Sequence, residues 1–409
     1  MRLIRLIFSL LIIAWFLSSC LETYYPEFSD EEVNTLVISG GITDQEGYHS
    51  IYVSLATNVS QPEYFPVTGC WGYVADDKGN NFNLQSLGEG HYQVWIGKEN
   101  LVPGRKYKLV VVTPLGSVYE SDEEVMPDSP EIDSMYYSWE FKETNVPGIQ
   151  SAGLQFYADF AGGNDQSHYY RWIVEETWEY HSPYIIEWYY DGKSKAILQF
   201  NPPDYSKQVC YKTQDLEKIF TMKTSNLEAN EYKGFPLHFI DNTSEKLLYK
   251  YSVLIRQMAL SERAYQYWDY LRQNDEDQDG LYQKQPMQIQ GNIYALGDFD
   301  SSRIDTSVSE IDTLTNRPRS NKRVLGYFSV SSLRTKRTTL TNLNNLNVDL
   351  SDYCLPWVPK NGLSTFLRTT PYNEIVYLVH NDTGTFLADK SCFDCRLRGG
   401  TTSKPAFLP

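Results

Sequence analysis

The 409-residue sequence predicts a mainly β protein: an N-terminal immunoglobulin-like β-sandwich followed by a larger β-rich domain with one inserted α-helix over about 261–274. Three observations predict it. Short segments alternate apolar and polar residues with period two, turn residues punctuate them, and one stretch alone has clear helical spacing.

The chain opens with Arg2 and Arg5, an apolar run from Leu6 to Leu17, and the small residues Ser18 and Ser19 ahead of Cys20. A spanning helix needs roughly 20 apolar residues, whereas a secretory apolar core needs about 7–15, so residues 1–19 are expected to be a signal peptide. The spelling Leu17, Ser18, Ser19, Cys20 resembles the bacterial lipobox, whose cysteine sulfur is acylated. Each buried methylene contributes about 0.8 kcal/mol, so the chains on one cysteine hold a protein at a bilayer without a transmembrane helix. Residues 20–34 follow as an acidic tether carrying Glu22, Glu27, Asp30, Glu31 and Glu32.

From 35 to 126 the alternation is that of half-buried strands. Ile51, Val53 and Leu55 share one face of "SIYVSL", and Tyr107, Leu109 and Val111 share one face of "RKYKLVVV". Turns are expected at Asp77 to Asn80, Gly88 to Gly90 and Pro114 to Gly116, giving the rhythm of an immunoglobulin-like sandwich. "MPDSPEID" then reads as a linker into the second domain, 127–409. There, strands are expected in "YYRWIVEETWEY", "YIIEWYY", "KLLYKYSVLIRQM", "VLGYFSVSSL" and "NEIVYLVH". In "MALSERAYQYWDYLRQN", Ser261 is placed to cap a helix whose Ala264, Tyr265, Trp268 and Leu271 fall on one side. Residues 298–322 read as a long exposed loop.

Charge and cysteines narrow the function. The sequence holds 36 basic and 52 acidic residues for a net charge of −16, which argues against nucleic acid as a partner, since phosphate binding needs a basic patch. Beyond Cys20 there are Cys70, Cys210, Cys354, Cys392 and Cys395. In an exported chain the last four are expected to form two disulfides, with Cys70 a buried free thiol. "CFDC" also has the spacing of half a zinc site, but no second such pair accompanies it.

No nucleophile elbow, zinc helix or phosphate-cradling loop occurs. Two constellations bear on binding. Asp275, Asp277 and Asp279 alternate ahead of Gly280 like the first half of a calcium loop, but the twelfth position is Pro286 instead of the bidentate glutamate, so an acidic solvated loop competes with calcium. Trp172, Trp178, Tyr180 and Trp188 lie in an aromatic-rich stretch that could stack sugars or peptides, or pack a core. Glu176 shares their face, yet a glycosidase needs a second carboxylate at a fixed distance.

Pieces spread along the chain, among them "LVISGGITDQEG", "PVTGCWGYVADDKG", "LGEGHYQV", "PDSPEIDS", "LSERAYQYWDYL", "QGNIY", "VLGYFSVSS" and "CFDCRLRGGTTSKPAFL", together resemble the Bacteroidota lipoprotein family catalogued as domain of unknown function 4249. The family's tail usually closes with Trp where this chain has Leu408. The resemblance implies an accessory lipoprotein of the outer membrane partnering a TonB-dependent transporter, with no catalytic residues or cofactor to carry over; the dispersed acids after Cys20 leave both membrane faces open, with the cell surface favoured over the periplasmic face. A structural or adhesin-like scaffold is the alternative, and a glycan-active enzyme ranks third.

Overall fold

A computed structural model describes residues 35–57, 63–144, 146–163, 166–277, 289–296, 322–350 and 353–409. Cys20, the acidic tether and all but the last residue of the predicted loop 298–322 lie outside these residues. The described chain is mainly β, arranged in four sheets.

Alternation builds the first core as expected. Strand Leu36–Thr43 pairs antiparallel with Gly47–Leu55, which pairs with His91–Ile96. Their inward residues Ile38, Ile51, Val53, Tyr92 and Val94 are buried against Val74, Tyr107, Leu109 and Val111 of a facing sheet. That second sheet is built on Trp71–Asp76, Lys106–Val112 and Val118–Ser121.

Both sheets recruit residues from far down the chain. Ile293–Ala295 pairs with Val118–Ser121, and Val324–Leu325 and the start of Phe328–Thr341 lie parallel beside Leu36–Thr43. Residues 293–295 and 324–331 therefore belong to the first sandwich although they lie in the C-terminal part of the sequence. The backbones cross closely there. Gly326 has φ +102°, and a Cβ on it would stand 1.9 Å from the Ile38 carbonyl oxygen. Gly326→Ala is expected to lower the unfolding free energy by about 3 kcal/mol through combined strain and overlap, read as a lower denaturant midpoint.

Phe328–Thr341 then leaves the first sandwich and enters the second. Its residues 328–331 match Gly40 to Thr43, and residues 332–341 match Ala259 to Lys250. Phe328 and Val330 sit in the first core and Leu340 in the second. Around the junction, Ser261 Oγ and Tyr327 OH both donate to Glu124, and Asn292 exchanges two hydrogen bonds with the Phe328 backbone.

The second sandwich sets Val209–Asp215, Tyr169–His181, Lys250–Ala259 and Phe328–Thr341 against a three-stranded sheet of Ile132–Glu143, Gln150–Ala161 and Glu231–Asp241. Its core holds Phe156, Phe160, Trp172, Val174, Tyr251 and Ile255. A smaller sheet of Ala196–Asp204, Ile186–Asp191, Ile375–Asn381 and Gly384–Leu387 packs on a short helix, Leu363–Arg368.

The main helix spans Glu262–Asp277, and Ser261 Oγ accepts from the Ala264 backbone N–H at 3.1 Å, as its capping role requires. Its Ala264 and Tyr265 pack against Tyr327. The cysteines pair as Cys210–Cys395 and Cys354–Cys392, leaving Cys70 free and buried. The two cysteines of "CFDC" thus take different partners.

Candidate ligand-binding face

The aromatic stretch singled out in the sequence turns inward. Trp172, Trp178 and Tyr180 are 1 %, 5 % and 4 % exposed, because their face of strand Tyr169–His181 is covered by the three-stranded sheet and the C-terminal turns. Trp172 stacks on Phe235 with ring centres 4.4 Å apart, and Tyr180 donates to the Cys395 carbonyl at 2.8 Å. Trp188 is half-buried in the smaller sheet, 4.8 Å from the His380 ring. Of the two readings the sequence left open, burial favours core packing over a binding platform for Trp172, Trp178 and Tyr180.

Glu176 lies at the centre of the same core, fully buried. Tyr251 OH donates to its Oε2 at 2.8 Å, Gln214 Nε2 to its Oε1 at 2.7 Å, and Lys246 Nζ reaches Oε1 at 2.5 Å, with His238 Nε2 3.6 Å from Oε2. Burial alone would push its carboxyl up, but the neighbouring His238, the hydrogen bonds from Lys246 and Tyr251 and the Lys246 charge outweigh it and hold the group at about 2. A carboxylate kept ionised by donors on both oxygens serves structure and is a poor proton donor.

The calcium reading meets a different backbone. Asp275 and Asp277 belong to the helix Glu262–Asp277, where the reading requires a loop turning toward Gly280. Asp279 lies outside the described residues. Among the described residues, no group of three or more His, Cys, Asp or Glu side chains is arranged to hold a metal ion.

A different surface gathers exposed rings. On Gly47–Leu55 the residues between the core positions, Tyr48, Ser50, Tyr52 and Ser54, point away from the core, and on His91–Ile96 so do His91, Gln93 and Trp95. Strand pairing sets Tyr48 opposite Trp95, Ser50 opposite Gln93 and Tyr52 opposite His91. The outer face is therefore banded: a ring pair, a hydroxyl and an amide, then another ring pair. Tyr48 and Trp95 meet edge to face at 4.9 Å, while Tyr52 and His91 stack at 4.6 Å. Ser50 Oγ lies 2.9 Å from His91 Nε2 and fixes that imidazole.

The rings remain open to water, with Tyr48 58 %, Tyr52 43 % and Trp95 48 % exposed. Beside the second pair lies an open depression of about 690 Å³, bordered by Ser39, Tyr52, Tyr64, Leu87, Glu89 and His91. Tyr64 OH donates to the Glu89 carbonyl at 3.1 Å and closes one side. His49, on the inner side of the same strand, is held down at about 4 by burial and stays neutral beneath the face. The signal was present in the sequence, since Tyr48, Ser50, Tyr52 and Ser54 alternate as regularly as the core positions between them.

Fold and surface together define a class: a multi-sheet β-sandwich protein with an open, ring-bearing face on its N-terminal sandwich. The chain belongs to the family described as Domain of unknown function (DUF4249), whose model matches residues 22–307. The resemblance seen in "VLGYFSVSS" and the cysteine-bearing tail falls beyond that match. No curated protein matches the chain.

Proposed function

We propose that this chain is a non-enzymatic lipoprotein of the outer membrane, anchored through acylated Cys20 and facing the cell surface. It captures a ligand and passes it to a TonB-dependent transporter. The observation that carries the reading is the exposed ring-bearing face of Gly47–Leu55 and His91–Ile96, which offers contact area at little entropic cost. Two disulfides suit a chain that matures outside the cytosol. The proposed attachment is the lipid on Cys20; among the described residues no helix is long and apolar enough to cross a membrane.

Cys20→Ser is expected to move the protein from the membrane fraction to the soluble fraction of lysed cells, as read by immunoblot after ultracentrifugation. Continued sedimentation with membranes would reject the anchor. The transport role is tested by co-purification of a barrel protein with the tagged chain, together with growth of a deletion strain on single nutrients. Absence of both a barrel partner and a growth defect would end it.

One observation favours the scaffold alternative. Among the described residues Ile132–Glu143 is an edge strand, and its Tyr137, Trp139 and Phe141 are 40 %, 38 % and 74 % exposed although they lie on the core side of their sheet. An unpaired edge with uncovered rings is suited to receiving a strand from another protein.

A further inference from the structure

We infer that the banded face of the first sandwich binds an uncharged oligosaccharide, lying along Gly47–Leu55 and His91–Ile96 from the Tyr48 and Trp95 pair to the Tyr52 and His91 pair. The inference rests on the capture reading and names the chemistry of its ligand.

Spacing comes first. The two ring pairs are four residues apart on the same strands, which at about 3.3 Å per residue separates them by roughly 13 Å. That length suits a short run of pyranose rings and exceeds one small ligand. The band between the ring pairs carries Ser50 and Gln93, with Gln85 of the neighbouring strand beside Gln93. On the other flank Ser39 lies opposite Tyr52 and adds a small hydroxyl side chain beside the second ring pair.

Chemistry follows. A pyranose presents two kinds of surface, an apolar face of C–H groups and a rim of hydroxyls. Aromatic rings meet the first, and the hydroxyl of Ser50 and the amides of Gln93 and Gln85 meet the second as both donors and acceptors. A protein partner of ordinary size wants a continuous patch of about 800 Å² per side with an apolar centre, whereas here a polar row divides the rings.

Charge selects within the sugars. The three bands hold no carboxylate, ammonium or guanidinium, on a chain with a net charge of −16. A polyanion such as a uronic-acid polymer finds no cation on these bands and meets an acidic molecule around them, while a neutral glycan loses nothing.

The test titrates the detergent-extracted lipidated chain, by isothermal calorimetry, with neutral hexasaccharides built on glucose, mannose, galactose or xylose, and with oligogalacturonate and heparin fragments of equal length. At least one neutral oligomer is expected to bind and the acidic ones are not. Trp95→Ala and Tyr52→Ala should each weaken binding about tenfold, with Trp95→Phe restoring most of it and melting temperatures little changed. Four results would overturn the assignment: no neutral oligomer binds at millimolar concentration, acidic fragments bind more tightly, affinity is indifferent to both alanines, or Trp95→Ala instead splits a dimer in sedimentation. If sugars fail while a barrel protein still co-purifies and the nutrient defect persists, the sugar chemistry falls and capture stands. If sugars bind without either, capture for transport falls and the glycan site stands.

Discussion

Glu176→Ala is expected to destabilise the fold by about 3–5 kcal/mol, because it leaves Lys246, Tyr251 and Gln214 turned toward an emptied, water-poor centre. Removing one partner of a buried ion pair costs more than the pair contributes, since the remaining group keeps its desolvation. The same residue sets a pH dependence. Its carboxyl lies at about 2 in the folded chain against an ordinary 4.5, so folding favours the ionised form. That difference corresponds to about 3 kcal/mol, fully present above pH 4.5 and lost as the pH falls through 2. Denaturant titrations at pH 7 and pH 3 measure it: the wild-type chain should lose stability between them, and Glu176→Gln should have a shallower slope. Equal slopes would mean that Glu176 does not hold its charge in the core.

The second large effect belongs to the Cys210–Cys395 disulfide. It closes a loop with a sequence separation of 185, against 38 for Cys354–Cys392. On loop entropy alone the longer link contributes about 5 kcal/mol and the shorter about 4 kcal/mol. Packing widens the gap, since Cys210 and Cys395 are both fully buried in the second core and Tyr180 bonds to the Cys395 carbonyl. The double variant Cys210→Ala with Cys395→Ala should therefore have a lower denaturant midpoint than Cys354→Ala with Cys392→Ala. The reverse order would show that the C-terminal segment is held mainly by the smaller sheet.

Local patterns were legible in the sequence, and the surfaces they would meet were not. Ile51, Val53, Tyr107, Leu109 and Val111 are buried as their alternation predicts, and the helix starts at its expected cap. That Cys210, Cys354, Cys392 and Cys395 form two disulfides while Cys70 stays free also followed from sequence, whereas which cysteine joins which did not. The hairpin of Ile132–Glu143 and Gln150–Ala161 did not, because the first of these strands carries rings on both faces and shows no clear period. Alternation likewise put Trp172, Trp178 and Tyr180 on one face, but whether that face meets water or protein depends on a sheet contributed by other segments. The ring-bearing face of Gly47–Leu55 is hidden for the converse reason: period-two alternation identifies the apolar side of a strand, and Tyr48 and Tyr52 on the other side have the spacing of ordinary solvent-facing residues. Strand partnership was hardest to read, since Gly40 to Thr43 pair with residues nearly three hundred positions later.

That late partnership governs the order in which the protein can be finished. A ribosome delivers Leu36–Thr43 near the beginning and Phe328–Thr341 near the end, so the earliest strand waits with one flank bare through most of synthesis. The large sheet that runs through both lobes stays incomplete until Phe328–Thr341 is made, and that strand then joins the two along a shared seam. Until Phe328–Thr341 arrives, that bare flank is open to any other strand it meets.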